Sequence, residues 1–164
     1  MGIRTAAKAI IIEGSEVLLS KNQNSMGEAC YGLPNGAIYY DLHGGGQNQY
    51  ETIEDALIRE CLEETGYLLT APRLAAVYEE ISLNPVVREQ YERHAHKIHF
   101  IFICSLSKEP RRAVSEMDFD MIGSEWIDIK AVGDLILVPP IVQSQFHTII
   151  NAKTPVFLGS DRIN

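Results

Sequence analysis

Long apolar runs, paired cysteines and an excess of positive charge are all missing from this sequence, and each absence excludes something. No stretch approaches about 18 consecutive apolar residues, so a membrane-spanning helix is not expected. There are three cysteines, Cys30, Cys61 and Cys104. Odd in number and far apart, they read as reduced thiols rather than a disulfide frame or a zinc site. The start, Met1-Gly2-Ile3-Arg4-Thr5-Ala6, lacks the apolar core of a secretory signal and the Ser or Thr that myristoylation needs. A cytoplasmic protein is expected. Basic residues number 14 against 22 acids, a net charge of −8, which disfavours a stable nucleic-acid complex built on phosphate contacts.

What is present is an ordinary globular composition, 46% hydrophobic and 22% charged over 164 residues. That length suits one domain, 1–164, large enough to bury a core without staples. Residues 8–13 and 16–20 are apolar, β-branched runs across Gly14-Ser15, a hairpin signature. Residues 22–36 read as a loop and 37–43 as a strand, since Ile38, Tyr40 and Leu42 alternate. Gly44-Gly45-Gly46 reads as a flexible turn able to approach a ligand closely. Thr52-Ile-Glu-Asp55 predicts a capping box that opens a helix, and Gly66 closes it. Residues 74–81, 98–106 and 125–129 read as strands. Residues 131–137 and 141–152 read as helices parted by Pro139-Pro140. The class is α+β.

The charge is unevenly placed. From Gly45 to Tyr67 six acids (Glu51, Glu54, Asp55, Glu60, Glu63, Glu64) face one base, Arg59, so this segment carries −5 of the total. At about 100° per residue, Glu60, Glu63 and Glu64 share one arc with the apolar Ile53, Ala56 and Leu57. A merely solubilising helix would turn its glutamates away from the core. Crowded beside it, they repel unless Arg59 or a cation neutralises them. Hard oxygen ligands at i, i+3 and i+4 suit Mg²⁺, or Mn²⁺, with waters and substrate phosphates completing the shell.

These residues resemble a known pattern at one spacing: Gly45, five residues, Glu51, seven residues, Arg59-Glu60, two residues, Glu63-Glu64, one residue, Gly66. That is similar to a complete Nudix box. The flanks, with Tyr39-Tyr40 before the glycines, 96–102 and Glu125-Trp126, resemble small bacterial Nudix hydrolases more weakly. The resemblance implies the Nudix α/β/α sandwich, a mixed sheet between helices. It also implies Mg²⁺-dependent hydrolysis of the pyrophosphate in a nucleoside diphosphate linked to another group. Metal ligands would be Glu60, Glu63, Glu64 and the Gly45 carbonyl. Arg59 would orient the glutamates, and Glu51 would pair with it or reach a further metal. Glu60 is favoured as proton acceptor over Glu116 or Asp118. The expected partner is a small nucleotide derivative, with a homodimer left open. The alternative is a non-catalytic nucleotide-binding module on the same fold.

Two departures matter. Leu42-His43-Gly44-Gly45 stands where the family commonly has Leu-Pro-Gly-Gly. His43 reads as a solvent-facing turn residue, with substrate contact as the other reading. The downstream proline or tyrosine that marks ADP-ribose and dinucleoside-polyphosphate specialists is not met, Ser82 and Pro85 standing near those places. Residues 86–99 hold Arg88, Arg93, His94, His96, Lys97 and His99. They read as a loop that either contacts phosphate or base, or is solvated and balanced by Glu89 and Glu92. A zinc site at His94 and His96 lacks further ligands. Arg111-Arg112 reads as a solvated turn, and Trp126 as core, with base stacking as the other reading.

Overall fold

In the computed structural model, which describes residues 2–164, the first predicted hairpin forms the centre of a nine-stranded mixed sheet. Strand β1 (Arg4–Glu13) turns through Gly14-Ser15 into β2 (Glu16–Gln23). There follow β3 (Ile38–Asp41), β4 (His43–Gly46), helix α1 (Ile53–Thr65), β5 (Leu69–Ser82) and a short helix α2 (Pro85–Gln90). The chain continues through β6 (His96–Leu106), β7 (Met121–Asp128), β8 (Leu137–Val138), α3 (Pro140–Asn151) and β9 (Val156–Ile163). The strand order is β8-β3-β2-β1-β6-β5-β9, with β4 added to β1 and β7 to β2.

β1 changes partner half-way along one edge. Residues Ala6 to Ala9 pair antiparallel with β4, and Ile11 to Glu13 pair with β2. Its other edge runs parallel to β6 from Arg4 to Ile11. The exchange curls the sheet and lays the glycines of β4 beside β1. Gly44 is bound to that place: at φ +122 a side chain is strained, and a Cβ would strike the Ala7 carbonyl oxygen.

Each face of the sheet carries one long helix, so the expected sandwich is present. On one face α1 buries Ala56, Leu57 and Cys61 against Ala7, Ala9, Ile11, Leu18 and Phe102, the two alanines of β1 leaving room for the helix. On the other, α3 buries Val142, Phe146 and Ile149 against Ile10, Val17, Leu19 and Ile101. Fully burying one side chain such as Phe146 contributes about 1.5–3 kcal/mol.

Some expectations change. The Gly44–Gly46 turn is strand, because β1 supplies a hydrogen-bonding edge. Residues 131–137 are not a helix: a 3₁₀ turn spans Ile129–Asp134, and Leu137-Val138 joins β3 as β8. The 86–99 segment is not one loop, since α2 occupies its start and β6 takes its end. Arg111 is not a plain solvated turn residue. Its Nε donates to the Thr65 carbonyl at 2.8 Å, and its guanidinium lies 4.9 Å from the Tyr67 ring centroid. Trp126 is partly buried against the α1-side core and meets Tyr67 edge-on at 6.3 Å.

The predicted ends of α1 both form. Thr52 Oγ1 accepts from the Asp55 N–H at 3.1 Å, and Gly66, at φ +76, donates its N–H to the Leu62 carbonyl. A Cβ on Gly66 would also strike the Arg112 carbonyl oxygen. Gly66→Ala should therefore cost more than about 1 kcal/mol, lowering Tm by roughly 2–4 °C for each kcal/mol lost. Thermal melts of the two proteins check this, and an unchanged Tm would contradict it.

Candidate active site

Helix α1 and strand β4 together build a charged junction. Arg59, on the second turn of α1, ties it. Its Nε donates to Glu51 Oε1 at 2.7 Å and Nη2 to Glu51 Oε2 at 2.9 Å. Nη1 donates to Glu60 Oε1 at 2.7 Å, and Nη2 reaches the Gly46 carbonyl at 3.1 Å. Glu63 Oε2 lies 3.5 Å from the same Nη1. One guanidinium therefore spans the loop before α1, two of its glutamates and the backbone of β4. Arg59 and the Asn48 N–H hold the Glu51 carboxyl down to about 2.

The three helix glutamates are not equivalent. Glu60 and Glu63 share Arg59, whereas Glu64 is buried and turned to β4. Burial raises Glu60 above its ordinary value; Arg59 opposes this, and the charges of Glu64 and Glu63 reinforce it. Gly45 lies directly against Glu60, so that a Cβ there would strike Glu60 Oε2. Among the described residues no three His, Cys, Asp or Glu side chains stand together as a ready metal cage. The donor set still fits a divalent cation. Three carboxylates close enough to perturb one another lie beside a glycine that leaves room for them, with Arg59 supplying positive charge between two of them.

His43 departs most from expectation. It is not solvent-facing: it is fully buried, with Nδ1 2.8 Å from Glu64 Oε2, and it is absent from the lining of the cavity beside Gly44 and Gly45. The cause is β4, whose first residue turns into the space between β1 and α1.

Strand alternation builds the other wall. Arg4 is level with Lys97, Ala6 with His99, and Lys8 with Ile101, so these residues face the same side. Lys97 is level with Glu80 on β5, and His99 with Tyr78. This end of the face is polar, while the far end is the apolar floor under α3. A cavity of about 100 Å³ is lined by Arg4, Lys8, His94, Lys97, His99 and Asp118, together with Gly44 and Gly45. It shares Tyr31, Asp41, His94, Lys97 and Asp118 with a second cavity of about 150 Å³, lined also by Met26, Tyr39, Tyr91 and Phe119. Burial and the surrounding Arg4, Lys97, Lys8 and Arg93 push His94 down to about 4, and burial with Lys97, Lys8 and Arg4 pushes His99 well down. Burial pulls Lys8 down, but Asp41 at 3.1 Å, Glu64 and Asp118 outweigh it and leave Lys8 raised. Burial raises Asp118, and the charge of Glu64 adds to the effect.

The remaining candidates separate. Arg93 lines a larger cavity with Arg4 and Glu51, beside the junction. Arg88 spends its guanidinium on the Ser82 carbonyl at 2.6 Å. Glu116 is exposed, and its N–H donates to the Glu63 carbonyl at 3.2 Å. His96 turns to Glu79 at 2.8 Å. Sequence reading passed over Arg4, Lys8, Asp41, Tyr31 and Glu80. The signal for the cations was there, since Arg4/Lys8 and Lys97/His99 repeat at even spacing along two strands.

Comparison with known proteins follows this geometry. Residues 2–149 match the model of the NUDIX domain. The chain is 30% identical over 98 residues to an ADP-ribose pyrophosphatase of Methanocaldococcus jannaschii, an alignment covering 60% of this chain and 48% of that protein. The chain thus spans about half the length of the curated relative it matches. A NUDIX hydrolase from Nitrosomonas europaea superposes with TM-score 0.66 at 18% identity, covering 89% of this chain and 87% of that one. A MutT protein from Bacillus halodurans superposes with TM-score 0.63 at 16% identity, covering 94% and 87%.

The Arg59–Glu51 pair yields a pH prediction. Its folded-state carboxyl titrates at about 2, below the unfolded value of about 4.3. The stability it contributes is complete above the unfolded value and lost as pH falls through the folded one. Arg59→Gln should therefore be destabilised at neutral pH, and its deficit against wild type should shrink below about pH 4. Urea melts across pH and carboxyl NMR of Glu51 check this. A wild-type Glu51 titrating near 4.3 would contradict it.

Proposed function

The chain belongs to the NUDIX family, and from that premise we propose that it hydrolyses the pyrophosphate of a nucleoside diphosphate linked to a second group, using Mg²⁺ or Mn²⁺. The observation that carries this reading is the junction where Glu60 lies against Gly45 while Arg59 binds Glu51, Glu60 and the Gly46 carbonyl. The ADP-ribose pyrophosphatase relative supports a nucleoside diphosphate bearing a second group, at the level of that class. Three free, buried thiols suit the cytoplasm as the location.

Glu60, Glu63, Glu64 and the Gly45 carbonyl would hold the cation. When bound there it supplies charge neutralisation at the pyrophosphate and a lowered pKa for a water. Glu60, raised by burial, suits accepting a proton from the attacking water. Asp118, also raised and lining the adjoining cavity, is the second candidate. Arg4 and Lys97 would meet phosphate oxygens as cations, and His94 and His99, held neutral near pH 7, as hydrogen-bond partners. Lys8 is engaged by Asp41 and by the Leu42 and Gly44 carbonyls, and so shapes the wall. The aromatic cavity of Tyr31, Tyr39, Tyr91 and Phe119 would take a flat or apolar portion of the substrate.

Hydrolysis of a panel of nucleoside triphosphates, ADP-ribose and nucleotide sugars, with and without Mg²⁺, tests the proposal. At least one should be cleaved only with the metal. Glu60→Gln should cut turnover by ~10²–10⁴-fold, the range typical for a lost general base, and Glu63→Gln should cut it by weakening metal binding, both without loss of folding. Activity that survives full chelation, or full activity in both variants, would overturn it.

A further inference from the structure

We propose that His43 is a positioning residue that fixes the Glu64 carboxylate for cation binding, an inference that rests on the reading of Glu64 as a ligand. Two donors converge on one oxygen: His43 Nδ1 at 2.8 Å and the Gly44 N–H at 3.1 Å both reach Glu64 Oε2. An ionised carboxylate only accepts, so Nδ1 carries the proton of this bond. Oε1 accepts no hydrogen bond from the described residues, which leaves it for a ligand.

The rest of the imidazole argues that this bond is its purpose. His43 is fully buried, and its Nε2 has no hydrogen-bond partner among the described residues. A buried polar atom left unpaired costs stability that an apolar side chain of similar size would not. The proline of the family's commoner pattern offers no side-chain donor. The imidazole is kept in a space that packing alone would fill better, and its one bond is to Glu64.

Its effect differs from that of Arg59. Glu60 and Glu63 lean on a guanidinium that also serves Glu51 and competes with any arriving cation for their oxygens. Glu64 is held from the interior by the His43 ring and the Gly44 N–H of β4, both on Oε2, and no arginine contacts it. Groups that orient a metal ligand in this way typically change affinity by about 10–100-fold.

Mn²⁺ titration of the whole chain, followed by electron paramagnetic resonance, tests this with His43→Leu, His43→Phe, His43→Asn and Glu64→Gln. The two donor-free variants differ in shape, so either one that folds decides the matter. They should bind Mn²⁺ about 10–100-fold more weakly. His43→Asn, whose amide can donate from near the Nδ1 position, should recover most of the affinity. Adding His43→Leu to Glu64→Gln should weaken binding no further. Wild-type Mn²⁺ affinity in a donor-free variant, with Glu64→Gln impaired, would overturn the role of His43 alone. Wild-type affinity in Glu64→Gln would overturn the ligand reading and this inference with it.

Discussion

Like charges crowded on one side of α1 set the terms for everything around them. Glu60, Glu63 and Glu64 occupy the arc of the helix that packs toward the sheet, where burial makes their mutual repulsion more costly than it would be in water. Arg59 offsets two of them from the helix itself, and β4 offsets the third from below. Both arrangements need a backbone without side chains close by. Gly44 and Gly45 supply it, and they are held in position because β1 gives its N-terminal edge to β4. The partner exchange in β1 is thus the structural condition for the acidic turn.

That dependence explains what could be read in the sequence. The box helix is local: its cap at Thr52, its stop at Gly66 and the spacing of its glutamates all lie within one element, so periodicity and residue type suffice. The central hairpin is equally local. His43 is not, because its burial follows from strand pairing between segments more than 30 residues apart, and nothing adjacent to it announces that. The same holds for β8 and β9, which join parallel to β3 and β5. Leu137-Val138 is too short to signal a strand, and β9 sits largely exposed on an edge, without a clear alternating face. Arg4 and Lys97 meet only because β1 and β6 run in parallel register. Their alternation was visible, but their neighbourhood was not.

The polar end of the α3-side face bears on function in a different way. A strand pair in the middle of a sheet is where apolar side chains contribute most to stability, and Ile10, Ile101 and Ile103 follow that rule. Arg4, Lys97 and the buried, unpaired His99 break it. Such departures collect where stability has yielded to binding. Glu80, 2% exposed, balances Lys97 at 2.9 Å and accepts from the Tyr31 hydroxyl, so the row has an acidic counterweight on its aromatic side. Toward the cavity beside Gly45, by contrast, cations outnumber acids.

Two groups of charge, one mainly acidic and one richer in cations, therefore stand side by side. On the α1 side, carboxylates exceed the one arginine that serves them; across Gly45, burial depresses the neighbouring imidazoles, and Arg4, Lys8 and Lys97 add to the effect. A simple anion would satisfy the second group and be repelled by the first, and a bare cation would do the reverse. A ligand that answers both must carry a cation bound against an anion, at a separation short enough to bridge Glu60 and the Arg4–Lys97 row. A divalent ion joined to a diphosphate has that form. The charge layout on both sides of the glycines thus supports the proposed chemistry, as does the spacing of the box.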